Sequence, residues 1–239
     1  MIKFENLQKK YKSKDNKLLT ALDGFSLEIA DNEVFALAGI NGAGKTTALK
    51  ALFKLINLDE GSIYIQMPKK DYKLGFAPEI PDLPSYLSVE EVLKLSCKLA
   101  DVKAQQELID RALSMFDIAD SKNKLVSTLS KGNKQRLSLA AAIVYQPEII
   151  VFDEPTSGLD PLGRKLIKNA IKQLKAEGRT ILFSTHILAD LPELCDRLAI
   201  VNKGKIVFSG SISEFSTNTS LEAMEKSFSK LVTLEAKSD

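Results

Sequence analysis

Residues Gly39 to Thr47 read GINGAGKTT. Gly39, four intervening residues and then Gly44-Lys45-Thr46 is the spacing of a loop that holds phosphates. Glycines let the backbone turn its N–H groups inward around phosphate oxygens. Lys45 adds a positive charge for the β- and γ-phosphates, and Thr46 offers a hydroxyl to Mg²⁺. Asn41, Gly42, Ala43 and Thr47 complete the loop. An apolar strand-like run, EVFALA, precedes it and a helix-like run, KTTALKALFKLIN, follows, which is the context such a loop needs. The expectation is a site for a nucleoside triphosphate with Mg²⁺.

An acidic element comes later, in IIVFDEP. Asp153 closes a continuous apolar run, where a carboxylate is costly unless a cation is near. A Mg²⁺ held together with Thr46 would be such a cation. Side chains alternate along a strand, so Glu154 is expected to point away from Asp153, towards a water it could polarise. Two more residues follow apolar runs. His186, after ILFST, is the single histidine of the chain. It stands at the strand end where such sheets place ligands, and its imidazole could donate to a γ-phosphate. A structural role is the plain alternative for a lone histidine. Glu79, in GFAPE, follows a short strand and alone means little.

LSKGNKQRL, Leu129 to Leu137, looks like a second anion-binding turn at a helix start near Asn133. Why one small chain should carry two such turns is a question the spacing alone does not answer.

The elements that must position these residues can be read from periodicity. MIKFENL and GFSLEIADNEVFALAG read as strands. Leu49, Leu52, Phe53 and Ile56 share a helix face after the loop. Ser88 and Glu91 form a capping box for VEEVLKLSCKLA, and QQELIDRALSMFDIA is the next helix. A nearly all-helical stretch, residues 81–146, therefore reads as a lobe inserted in an α/β core. EIIVFDEP and RTILFSTH are buried parallel strands. RKLIKNAIKQLKAEG is a helix stopped by Gly178, and RLAIVNKGKIVFSG is a hairpin across Asn202 to Lys205. LEAMEKSFSKLV ends the chain as an amphipathic helix. Strands alternating with helices argue for an α/β fold with a mainly parallel sheet.

Composition sets bounds. The chain has 239 residues, 44% hydrophobic and 27% charged, with a net charge of +2. That fits one sizeable globular core and no strong attraction for polyanions. The basic stretch KKYKSKDNK is expected to be a solvated loop, with a membrane or nucleic-acid patch as the alternative. Two cysteines, Cys97 and Cys195, lack the close company a structural zinc needs and suit a reducing compartment. No signal-peptide pattern and no membrane-spanning run is visible, so the expected location is cytoplasmic.

Taken in order, GINGAGKTT, LSKGNKQRL, IIVFDEPTSGLD and STH resemble the nucleotide-binding subunit of ABC transporters, from about Met1 to Gly210. The resemblance implies a P-loop NTPase core with an N-terminal antiparallel β region and an inserted helical lobe, residues 1–210, followed by a tail, residues 211–239. It also implies why there are two anion turns. Two copies pack head to tail on binding ATP, and Ser130 and Gly132 of one contact the γ-phosphate held by the other. Tyr11 falls where the family stacks a ring on adenine, although a surface tyrosine would look the same. Asp160 matches the loop linking the two sites, Glu154 the catalytic glutamate and His186 the switch histidine. Thr46, Glu79 and Asp153 match the Mg²⁺ ligands. Lys131 and Asn133 replace a glycine and the glutamine of the common LSGGQ signature. Glu79 replaces the usual glutamine, and Ile40 a common proline.

GFAPEIPDLPSYLSVEEVL looks most like the subset whose partners are polytopic membrane subunits of the ABC-2 export type. The implied protein is an ATPase at the inner face of the cell membrane, energising export, with Leu83, Tyr86 and Leu87 offered to the membrane subunit. A soluble ATPase acting on ribosomes or nucleic acid is the alternative. One cassette and no long heptad insertion argue against it, so no nucleic-acid partner is expected. A binding module without catalysis is disfavoured by intact Lys45, Asp153, Glu154 and His186. The C-terminal helix either covers an edge of the core or steadies a dimer.

Overall fold

Alternating apolar residues make β1 (Ile2–Lys12) and β2 (Leu18–Ile29) half-buried antiparallel partners, with Ile2, Phe4 and Leu7 facing the core. Phe4 and Phe25 meet edge to face at 5.8 Å, a favoured aromatic geometry. β3 (Val34–Ala38) is buried throughout and leads into α1 (Lys45–Leu52), and β4 (Glu60–Ile65) adds to the free side of β1. The computed structural model describes residues 1–12, 15–67 and 71–235.

Next come β5 (Leu74–Ala77), α2 (Val89–Leu99), α3 (Gln106–Met115) and α4 (Lys131–Ile143). β6 (Ile149–Phe152), α5 (Pro161–Ala176) and β7 (Thr180–Thr185) follow. The chain ends with α6 (Leu191–Leu194), β8 (Arg197–Asn202), β9 (Lys205–Ser211), α7 (Ile212–Phe215) and α8 (Leu221–Glu235). Contacts divide it into two units, Met1–Pro68 with Leu182–Asp239, and Lys69–Ile181.

In the first unit β3 pairs with β8 in parallel, and β9 returns antiparallel. The β8–β9 turn is Lys203-Gly204, both at positive φ (45° and 83°). Two such residues match the twist of a tight hairpin, so the hairpin read at Asn202 to Lys205 forms. In the second unit β5 and β6 pair in parallel, and α4 packs on both strands and on α2 and α3. These parallel pairs joined through helices are the mainly parallel α/β arrangement expected, beside an antiparallel N-terminal sheet ordered β2-β1-β4. Three α-helices and two short 3-10 turns fall within the stretch read as a helical lobe.

The capping box at α2 is present: Ser88 Oγ accepts from Glu91 N–H at 3.2 Å, and Glu91 Oε2 accepts from Ser88 N–H at 2.7 Å. Those bonds hold the Glu91 carboxyl below the usual carboxylate range. A second box, Ser211 with Glu214, starts the short α7, which periodicity over four residues does not reveal.

Three expectations need correction. α1 stops at Leu52 although apolar spacing continues to Ile56. Lys54 sits at φ 54°, Lys54 N–H donates to Ala51 O, and Leu55 N–H donates to Lys50 O. That double bond pattern closes a helix end with a residue other than the usual glycine. The same device ends α3 before FDIA, with Asp117 at φ 51° and Ile118 N–H on Leu113 O. The basic stretch is not all loop either. Lys9 to Lys12 belong to β1, with Tyr11 opposite Leu19 and Lys12 opposite Leu18. Ser13 and Lys14 lie outside the described residues, as do residues 236–239 of the tail.

Candidate functional site

In the first unit, the loop from Gly39 is fixed by backbone. Gly39 N–H donates to Thr185 O at 3.2 Å, and Gly204 N–H donates to Ala43 O at 2.8 Å. A Cβ at Gly39 would come within 2.4 Å of Val201 O, and one at Gly44 within 2.3 Å of Ala21 O. Gly44 also has φ 111°, which an L side chain rarely adopts. Only glycine lets the chain pass these two points. Gly42, at φ 81°, has open space where its Cβ would be, and Asn41 beside it is exposed.

Lys45 is 5% exposed and curls into the loop, donating to Gly39 O at 2.7 Å and Ile40 O at 3.2 Å. Thr46 and Thr47 follow in the first turn of α1, which carries no acidic residue. A helix N-terminus and a buried ammonium make this a loop suited to a polyanion.

The Gly39–Thr185 bond also brings the end of β7 to the loop. His186 is the next residue, exposed, in a turn set by Ile187 N–H donating to Thr185 Oγ1 at 2.9 Å. Tyr11 lies on β1, whose partner β2 touches the loop through Ala21 and Leu22. Its ring is 38% exposed, with the Lys9 ammonium 5.5 Å from the centroid.

The second unit holds the acidic residues. Asp153 and Glu154 follow β6, and Asp153 N–H donates to Ala77 O at 2.9 Å, so Glu79 leaves β5 at the same end. Asp153 is 2% and Glu154 4% exposed, whereas Glu79 is exposed. The alternation argument for Glu154 fails, because β6 ends at Phe152 and neither carboxylate is in the strand. Glu154 is aimed instead by its own backbone, at φ 51°. A non-glycine residue there is uncommon and points to a local functional constraint.

Ser130 caps α4, its Oγ accepting from Asn133 N–H at 3.2 Å. The helix therefore begins at Lys131, not near Asn133, and Gly132 lies in its first turn. Unlike Gly39 and Gly44, Gly132 would meet nothing within 4 Å if it carried a Cβ. Asp160 caps α5, accepting from Gly163 N–H at 2.6 Å.

The apolar residues offered to a partner need revision. Ile80 and Tyr86 are strongly exposed, whereas Leu83 and Leu87 are half-buried. Cys97 is buried, and burial pushes its thiol up, so it acts as a core residue. Among the described residues no His/Cys/Asp/Glu group suits a dedicated metal site, and no helix is long and apolar enough to cross a membrane. Sequence reasoning passed over Gln135, a largely buried residue on α4, and Ala21 and Gly204, which shape the loop from outside it.

Comparison with known proteins agrees with this geometry. Residues 22–157 match the family described as ABC transporter. An uncharacterized ABC transporter ATP-binding protein of Nostoc sp. is 40% identical over 208 residues, covering 83% of this chain and 62% of that protein. The chain thus spans less than two thirds of that relative's length. Nod factor export ATP-binding protein I of Paraburkholderia xenovorans is 34% identical over 221 residues, covering 89% of this chain and 71% of the relative. Among solved structures, an ATP-binding subunit of an ABC transporter superposes with a TM-score of 0.82 at 25% identity, over 97% of this chain and 99% of that one. A dimeric ATP-binding cassette bound to ADP and Pi superposes with a TM-score of 0.80 at 25% identity, over 89% and 99%. With the family match spanning more than half of its length and lying on the loop, signature and acidic elements described above, the chain belongs to the ABC transporter family of ATP-binding proteins.

Proposed function

We propose that the chain is the ATP-binding and hydrolysing subunit of an ABC transporter and that it energises export through a separate membrane subunit. The observation that carries this reading is the Gly39–Thr47 loop. Its two glycine passages exclude any Cβ, and its buried Lys45 donates to the loop's own carbonyl at Gly39. Mg²⁺ takes hard oxygen ligands, and the groups assigned to it in this reading are the Thr46 hydroxyl and the carboxylates of Asp153 and Glu79. Mg²⁺, when bound, offsets charge on the β- and γ-phosphates.

The chain's own residues supply the rest. Asn41, Gly42, Gly44 and Thr47 offer backbone N–H groups to the phosphates, while Gly39 and Ala43, whose own N–H groups donate to Thr185 O and Ile40 O, shape the loop that presents them. Lys45 exchanges its carbonyl partners for phosphate oxygens. Tyr11 offers its ring face to the base. Glu154 orients and polarises the attacking water, and His186 donates to the γ-phosphate. Ser130 and Gly132 meet the γ-phosphate carried by a second copy, and Asp160 links the two sites. The dimeric cassette with ADP and Pi supports ATP-driven pairing of two copies.

Export is supported by the relative named for Nod factor export. A groove of about 490 Å³ in the second unit, lined by Phe76, Leu83, Leu99, Ala141 and Tyr145 among others, suits a cytoplasmic helix of an ABC-2 type membrane subunit. Leu99 stands 79% exposed at that groove, an apolar side chain left for a partner to cover. Residues 81–146 act as the lobe that receives it, and residues 211–239 as the tail. The protein then works in the cytoplasm, peripheral to the inner face of the membrane. Purified protein is expected to hydrolyse ATP only when Mg²⁺ is present. ATP binding without any turnover, alone or with membranes, would sink the enzymatic reading.

A further inference from the structure

Tyr11 stands near the far end of the β1–β2 hairpin, just beyond a bulge. Lys9 is opposite Leu22 and Lys10 is opposite Thr20, so Ala21 is an extra residue on β2. A bulge re-aims the side chains that follow it and is common beside sites. The Ala21 carbonyl oxygen also lies 2.3 Å from where a Cβ on Gly44 would be. The bulge therefore ties this end of the hairpin to the phosphate loop.

Asp59 fixes the other side of the bulge. β4 stops pairing with β1 at Gln8, opposite Glu60. Beyond that point Asp59 takes the place of a strand. Its N–H donates to Gln8 O at 2.9 Å, its Oδ2 accepts from Lys10 N–H at 2.6 Å, and its Oδ1 accepts from the Lys9 ammonium at 3.0 Å. These bonds, the one from Lys9 foremost, hold the Asp59 carboxyl below the usual carboxylate range.

The same ammonium, on a side chain only 15% exposed, lies over the Tyr11 ring at 5.5 Å from its centroid. That is within reach of an attractive cation–ring contact. One face of the ring is therefore taken. Leu19, directly opposite Tyr11, is 59% exposed and shares its side of the hairpin. An aromatic ring and an apolar side chain thus stand together at the surface, on the hairpin that touches the phosphate loop.

We propose that Lys9 and Asp59 are positioning residues for nucleotide binding: Asp59 holds the Lys9 ammonium on one face of the Tyr11 ring, which fixes the ring and leaves its other face for the base, with Leu19 as an apolar flank. This rests on the reading of Tyr11 as the residue that stacks on the base, and it adds the groups that set the ring before a nucleotide arrives. A ring already fixed gives up less freedom on binding. The brace acts on the base and not on the phosphates, which the loop and Lys45 hold.

The test separates base from phosphates by calorimetric titration of the full chain with ATP and with inorganic tripolyphosphate, without Mg²⁺ so that nothing turns over. Lys9→Met keeps the length of the side chain and removes its charge. It is expected to weaken ATP binding about three- to tenfold, the freedom that one ordered side chain gives up, and to leave tripolyphosphate binding unchanged. Lys9→Arg should restore ATP affinity. Asp59→Asn, which can still accept from Lys10 N–H, should weaken ATP binding in the same selective way. Unchanged ATP affinity in Lys9→Met, with Tyr11→Leu weakening it, would overturn the brace alone. Equal losses for ATP and tripolyphosphate, or a loss that Arg does not restore, would overturn it by showing damage to the hairpin or the loop. Unchanged ATP affinity in Tyr11→Leu would overturn it together with the reading of Tyr11.

Discussion

Lys45→Ala is expected to lower ATP affinity by at least about a hundredfold and to remove hydrolysis. The ammonium is 5% exposed and already desolvated inside the loop, held by Gly39 O and Ile40 O. Moving it from those carbonyls to phosphate oxygens keeps its bonds while pairing it with opposite charge. A hydrogen bond between charged groups is worth about 1.5–3 kcal/mol, and Lys45 is read as making more than one. Alanine removes all of them and leaves two loop carbonyls without their cation. The fold should persist, because Ala48, Leu49 and Leu52 anchor α1 on its buried face. Calorimetric titration with ATP, alongside circular dichroism, checks the outcome. Near-normal binding would mean that the loop does not hold phosphate through this residue.

Glu154→Gln has the second large effect, and of a different kind. Substitution keeps size and hydrogen-bonding reach but removes the charge proposed to polarise water. General-base catalysis contributes about 10²–10⁴-fold, so turnover should fall by that order while ATP affinity is kept. The left-handed backbone at Glu154, φ 51°, costs about 1–3 kcal/mol and is paid equally by glutamine, so the variant should be as stable as the parent. With hydrolysis blocked, two copies should accumulate as an ATP-bound dimer, seen as doubled mass by light scattering. Full turnover in the variant would remove Glu154 from the catalytic role.

Much of the shape of the Gly39–Thr47 loop was legible because it is local. Glycine positions, the lysine and the flanking strand and helix lie in one short stretch, and Gly39 and Gly44 are fixed by backbone approaches that no other residue tolerates. Caps were equally legible at Ser88 and Glu91, where two bonds span three residues. What local spacing missed was set by other forces. The ends of α1 and α3 come from hydrogen bonds around Lys54, a residue with no liking for left-handed backbone, and Asp117, a type that tolerates it but did not stand out in the sequence. Period-two alternation was extended one step too far at Glu154, because the strand stops at Phe152. Gln135 looks like any polar helix residue, and only the packing of α4 on its neighbours buries it. One cavity of the second unit is lined by both Glu79 and Lys131, two departures from the common family pattern that are far apart in the chain.

The central claim is that this ATPase works for a membrane partner. Capture of the tagged full chain from detergent-solubilised native membranes tests it most directly. The expected result is a stoichiometric polytopic membrane protein that co-purifies with the chain and raises its ATPase activity. Capture of ribosomes or nucleic acid, or of no membrane protein at all, would contradict the transport reading and leave an ATPase with another task.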